Sequence, residues 1–165
     1  MADVSQSKLW NTGMLQVQDA CVVLVRTEWN DAIVSELERG ARNILEQHRV
    51  KQVNSILVPG AVEIPFIIRE YWNAHCMMAS KRPHAFIALG CVIQGDTPHF
   101  DYVCRSVTDG VTQLNLSLPV PVIFGVLTVN SEQQAIDRIG GSHGHKGEEA
   151  AITALKMISL QHSFK

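Results

Sequence analysis

No run of apolar residues is long enough to cross a bilayer, which takes about 20 of them in a helix. No segment repeats, and no Pro-, Gly- or Ser-rich linker interrupts the chain. Lys and Arg never cluster and the formal net charge is −2, so the electrostatic footprint of a nucleic-acid binder is missing. The four cysteines, Cys21, Cys76, Cys91 and Cys104, lack Cys-x-x-Cys spacing. Three of them fall in apolar patterns, which predicts buried, reduced thiols. His143, His145 and His99 could be drawn around a metal. A His-x-His pair without a carboxylate or thiolate at a known spacing is a weak signal, so no metal site is predicted. Neither G-x-G-x-x-G nor a P-loop lysine motif is present. Residues 1–11 are polar and lack the basic and apolar regions of a secretion signal, so the expected location is cytoplasmic.

What is present is an ordinary globular composition: 46% hydrophobic and 18% charged over 165 residues, enough for one domain with a real core. A single domain over 1–165 is expected, with 1–12 as a mobile arm. Residues 14–18 alternate apolar and polar, as a short half-exposed strand does. Four apolar strands follow, at 20–25, 53–58, 85–89 and 120–128, and helical patterns separate them. The first helix carries Ile33, Leu37, Ala41, Ile44 and Leu45 on one face, with Asn30 or Asp31 as its cap. The third carries Phe100, Val103, Val107, Val111, Leu114 and Leu118, with Thr97 as cap, Pro98 in the first turn and Gly110 as a weak point. Ser131 is expected to cap a short helix at 132–139. Residues 140–147 read as a flexible glycine-rich turn before a last helix.

Strands alternating with helices predict an α/β fold of three layers: a flavodoxin-like, four-stranded parallel sheet with helices on both faces. Ligands of such sheets bind outside the carboxyl ends of the strands. Trp29, Glu63, Thr97 and His99 would share that rim. Trp29 could cover a flat ring, and Glu63 could accept hydrogen bonds from hydroxyls. The turn at 95–98 leads into a helix N-terminus, where free N–H groups and the helix dipole attract anions. His99 beside it is a side chain that titrates near neutrality. Arg138 and Lys146 lie on later segments able to fold back over the rim. These parts suit a polar, flat-ringed substrate and a second one bearing phosphate. The rim alone would equally suit a module that holds a flavin or phosphate without catalysis.

Four stretches then carry a resemblance jointly: 58–65 (VPGAVEIP), 88–103 (ALGCVIQGDTPHFDYV), 121–128 (PVIFGVLT) and 146–151 (KGEEAA), with EQQA at 132–135 and Arg138 between the last two. In this order and spacing the chain resembles the lumazine synthases over roughly residues 18–160. That family condenses 5-amino-6-ribitylaminouracil with 3,4-dihydroxy-2-butanone 4-phosphate, without a metal or organic cofactor, in the penultimate step of riboflavin biosynthesis. The resemblance implies that Trp29 stacks on the pyrimidine. It implies that Ala61, Val62 and Glu63 hold the ring edge and ribityl chain, and that the backbone of Cys91, Val92 and Ile93 reads the polar edge of the ring. Asp96 and Thr97 would offer N–H groups to the phosphate and Arg138 would pair with it. His99 would carry protons with Lys146 close by, and Phe124 would come from a neighbouring subunit.

The resemblance also implies homopentamers. The short 140–147 turn is similar to that of members building 60-subunit icosahedral capsids, and riboflavin synthase is an implied pathway partner. Three departures stand out. Gln94 occupies a position where many members carry Arg, and His145 one where Asn is common. Asp96 sets a carboxylate in the phosphate loop, so it should point away and lend only its backbone. A shell with vestigial sites is the remaining alternative, and the intact set of site residues argues against it.

Overall fold

The computed structural model describes residues 9, 10, 13, 15, 17 and 19–164. Most of the expected arm at 1–12 lies outside the described residues, as do Met14, Gln16 and Gln18 of the expected first strand. Leu15 and Val17 are described and belong to no strand.

The elements run β1 (Cys21–Thr27), α1 (Asp31–Gln47), β2 (Gln52–Val58), a 3-10 turn (Ala61–Glu63), α2 (Ile64–His75), β3 (Ala85–Ile93), α3 (His99–Ser117), β4 (Val122–Val129), α4 (Glu132–Ile136), β5 (Ile139–Gly141), β6 (Gly144–His145) and α5 (Lys146–His162). The first four strands form one parallel sheet in the order β2-β1-β3-β4. This is the flavodoxin-like architecture that the pattern of strands and helices predicts. The central strands are apolar along their length because both of their faces are covered. Alternate residues go to opposite sides. Leu24, Ile87 and Leu89 pack with Leu37, Leu45 and Leu155, the α1 and α5 side. Val23, Val25, Phe86 and Ala88 pack with Ile64, Ile68 and Val107, the α2 and α3 side. All five apolar residues assigned to the face of α1 are buried.

The chain steps from β1 outward to β2, then returns past β1 to β3. The carboxyl ends of β1 and β3 therefore splay apart at a topological switch point, where α/β sheets keep their ligands.

Several local expectations change. β2 is not a core strand. It lies at the sheet edge, and only Val58 in it is buried. The polar Asn54 and Ser55 suit a strand that is paired on one side only. Thr97 caps nothing, since α3 starts at His99 with Pro98 as its cap residue. Asn30 precedes α1 but forms no side-chain cap, and its backbone is left-handed at φ 57°. Ser131 does cap α4, accepting the Gln134 N–H at 3.4 Å. Residues 140–147 are not a loose turn. With Ile139 they form an antiparallel hairpin, in which Ile139 faces His145, and the start of α5 at Lys146. Gly110 is better read as a contact than as a weak point, because the Pro65 ring of α2 lies where a Cβ would go.

Candidate active site

A cleft of about 570 Å³ opens at the carboxyl ends of β1 and β3. Its walls are built by connections between strand ends. The Glu28 N–H donates to Val58 O at 2.9 Å and the Trp29 N–H to Pro59 O at 3.4 Å, which join the loops after β1 and β2. Thr27 Oγ1, buried, donates to Trp29 O at 3.1 Å and sets the turn that presents the indole. Asn30 Nδ2 donates to Cys91 O at 2.8 Å and bridges β1 to β3 across the switch point. The Gln94 N–H donates to Val129 O at 2.9 Å, so the end of β3 is also held to β4.

The cleft gathers eight of the residues named from the sequence: Trp29, Ala61, Val62, Glu63, Cys91, Val92, Ile93 and His99. Trp29 is 73% exposed, an apolar plate with one face free. An exposed indole beside a cavity suits stacking on a flat ring. The Glu63 carboxylate and the Trp29 ring both approach Gly60 from the side a Cβ would occupy. A Cβ at position 60 would sit 3.0 Å from Glu63 Oε2 and 3.6 Å from Trp29 Cδ1. The backbone there is extended (φ −148°, ψ −179°), which any residue adopts. Gly60→Ala should therefore fold normally and raise KM for the ring-bearing substrate by moving the carboxylate. Unchanged kinetics with that variant would show that Glu63 does not need its present place.

Cys91 borders the cleft but has no nucleophile's character. Burial, with the Glu132 carboxylate adding to it, pushes its thiol up to about 11. A thiol with a raised pKa is protonated below that value, so at pH 8 only about one in a thousand is thiolate. Alkylation of the native protein at pH 8 should leave Cys91 unmodified by mass spectrometry. Rapid labelling there would contradict its burial. Cys21 and Cys104 are also pushed up by burial, and all four cysteines are free.

The other named residues lie outside this cleft. Asp96 and Thr97 are exposed in the turn between β3 and α3, next to His99 and to the free N–H groups of the α3 N-terminus. Arg138 follows α4, and its Nη1 donates to Gln134 O at 2.7 Å. Lys146 does not lie with His99. It lines a separate cavity of about 150 Å³ against β4 and α5, together with Phe124. Its side chain is buried, with Nζ 2.7 and 2.9 Å from the two oxygens of Glu149. Within one chain His99 and Lys146 are thus in different places, because Lys146 heads the helix on the opposite face of the sheet from α3. Phe124, on the edge strand β4, is 38% exposed.

Sequence reasoning put the turns at 27–30 and 60–63 on the rim, so Thr27 and Gly60 in the lining follow from it, but it missed Val103 and took Asn30 only as a cap. An Asn before a helix looks like a cap, and only the third dimension reveals its bond to Cys91. Glu149 was missed too, although its i,i+3 spacing from Lys146 was a readable sign of pairing. Among the described residues no three His, Cys, Asp or Glu side chains converge as metal ligands would. His143 is exposed beside Ser142, while His145 is buried at the head of α5.

Residues 19–162 match the family described as 6,7-dimethyl-8-ribityllumazine synthase. A protein of that name from Parabacteroides distasonis is 49% identical over 139 residues, which cover 83% of both chains. One from Bdellovibrio bacteriovorus is 49% identical over 139 residues, covering 84% of this chain and 74% of its own. One from Bacteroides fragilis is 48% identical over 139 residues, covering 83% and 93%.

Proposed function

The chain belongs to the 6,7-dimethyl-8-ribityllumazine synthase family, and from that premise we propose how its residues carry the reaction. The enzyme is a transferase of riboflavin biosynthesis. It condenses 5-amino-6-(D-ribitylamino)uracil with 3,4-dihydroxy-2-butanone 4-phosphate to give 6,7-dimethyl-8-ribityllumazine, phosphate and water.

The observation that carries the assignment of residues is the cleft at the switch point, where Trp29, Glu63 and His99 border one volume. In this reading Trp29 stacks on the pyrimidine, and Ala61, Val62 and the backbone of Cys91, Val92 and Ile93 frame the ring. Glu63 accepts hydrogen bonds from the ribityl hydroxyls. The phosphate lies at the α3 N-terminus against Asp96 and Thr97 backbone, and Arg138 pairs with it. The ring's amine attacks the ketone, water leaves, and an imine forms. Loss of a proton from the adjoining carbon expels phosphate and gives an enol. The enol tautomerises, the ribitylamino nitrogen attacks the new carbonyl, and a second loss of water closes the ring. His99 takes and returns these protons. The substrate supplies its own amine, so Lys146 serves by charge and needs no Schiff base.

Two observations support a site completed by a neighbouring copy. Phe124 and Lys146 lie in a different cavity from His99, and the cleft leaves Trp29 and Val62 exposed. We take the assembly to be a homopentamer in which Phe124, Arg138 and Lys146 of one subunit face the next subunit's cleft. Twelve pentamers then close into a capsid, in keeping with the short hairpin after Ile139. The chain 1–165 acts as one domain, in the cytoplasm, with riboflavin synthase as its pathway partner. Particles seen by electron microscopy at high protein concentration support the capsid. A pentamer-sized species alone rejects it.

The test of function is to mix both substrates and follow lumazine fluorescence, omitting each in turn. Assembly or ligand binding without product would leave a shell or a binding module instead. Much of the rate comes from holding two reactants together. His99→Ala should therefore lower kcat by roughly 100-fold, the size of one general acid–base contribution, without abolishing it. Unchanged turnover at saturating substrates would remove His99 from its role.

A further inference from the structure

We infer that His145 is a positioning residue, one that holds Arg138 and Lys146 in register with each other on the phosphate side of the site. The inference rests on the reading above, in which those two cations serve the reaction.

His145 is 8% exposed, and its ring packs against Gly40 of α1 where no side chain would fit. Its Nδ1 accepts the Glu148 N–H at 3.4 Å and caps α5. The ring hydrogen is therefore on Nε2, which among the described residues is the buried side-chain polar atom left without a partner. A buried donor without an acceptor is destabilising, and an apolar side chain of similar size would fill the notch without that penalty. What the imidazole adds over such a filler is the Nδ1 acceptor, the cap itself.

The cap reaches both cations. His145 pairs with Ile139 across the hairpin, and the next N–H, that of Lys146, donates to Arg138 O at 2.8 Å. On the other side, the capped Glu148 precedes Glu149, whose two oxygens hold Lys146 Nζ. One side chain therefore fixes the first turn of α5, which carries Lys146, and the turn before β5 that carries the Arg138 carbonyl. Loss of the cap should loosen both cations and leave Trp29, Glu63 and the pyrimidine side of the site untouched.

Steady-state kinetics on the full-length enzyme test this. His145→Leu keeps bulk and loses the acceptor, whereas His145→Asn loses the ring and keeps an acceptor suited to a cap. His145→Leu should raise KM for the butanone phosphate about fivefold, the worth of one helix cap, and leave KM for the pyrimidine unchanged. His145→Asn should restore the phosphate KM. If both KM values rise together, or if Asn performs no better than Leu, the residue only packs α1 against α5 and the inference falls. Arg138→Ala and Lys146→Met in the same assay separate the premise from the inference. If neither changes the phosphate KM, the underlying reading fails and takes this one with it. If both change it while His145→Leu does not, only the positioning role is lost.

Discussion

Arg138→Ala should lower kcat/KM for 3,4-dihydroxy-2-butanone 4-phosphate by about 100-fold, with nearly all of the loss in KM for that substrate. Arg138 sits just past α4, at the carboxyl end of the sheet and half-buried, with one Nη1 hydrogen committed to Gln134 O at 2.7 Å. That bond spends one of five donors and fixes the plane of the guanidinium, leaving the others for an anion. A forked, charge-assisted pair with a phosphate is worth about 3 kcal/mol where water is partly excluded, which converts to the 100-fold figure. In the proposed reading the effect is selective, because Trp29 and Glu63 hold the pyrimidine in a cleft that Arg138 does not line. Arg138→Lys should recover only part of the loss, since an ammonium keeps the charge but not the fork. Inorganic phosphate should inhibit the wild type and lose potency against Arg138→Ala. If the two KM values rose equally, Arg138 would be supporting the fold and not binding phosphate.

How much of this could be read from residues depends on how local the cause is. The central strands announce themselves because β1 and β3 are apolar on both faces, and the buried stripe of α1 follows directly from helical spacing. Trp29, Glu63 and His99 were legible for a topological reason, since each lies beyond the carboxyl end of β1, β2 or β3, where the chain reversal forces a crevice. Ala61, Val62, Cys91, Val92 and Ile93 came with the family resemblance. Asn30 failed as a local reading because its partner, Cys91 O, is 61 residues away. Thr97 failed because Pro98 already occupies the cap position. The exposure of β2 depends on its place at the edge of the sheet, which the strand's own residues hint at only through Asn54 and Ser55. Arg138, Lys146 and Phe124 are matched by the resemblance, yet no contact within the chain brings them to the cleft. In the proposed pentamer they reach a cleft from the neighbouring subunit.

The largest expected loss of stability comes from a residue that composition alone would call loop punctuation. Gly147→Ala should destabilise the protein by about 2–3 kcal/mol. Propensity argues the other way, because Ala is better than Gly inside a helix by up to about 1 kcal/mol. Gly147 is buried in the first turn of α5, against α1, and a Cβ built there meets the backbone carbonyl of Leu37. A flexible side chain could move aside, but a helix carbonyl already bonded along α1 cannot. The two helices must separate, and with them the contacts among Leu37, Ala41, Ala151 and Leu155, all fully buried. Overpacking of this kind outweighs the gain in propensity. Gly110→Ala is a milder comparison, because the atoms it meets belong to the Pro65 ring. Urea unfolding at one fixed protein concentration measures the difference, since the proposed assembly would make the midpoint concentration-dependent. Gly147→Ala should also weaken the phosphate KM in any molecules that fold, because Lys146 immediately precedes it and shares its turn. A midpoint equal to or above that of the wild type would mean that helix propensity dominates and that the α1–α5 crossing has room to spare.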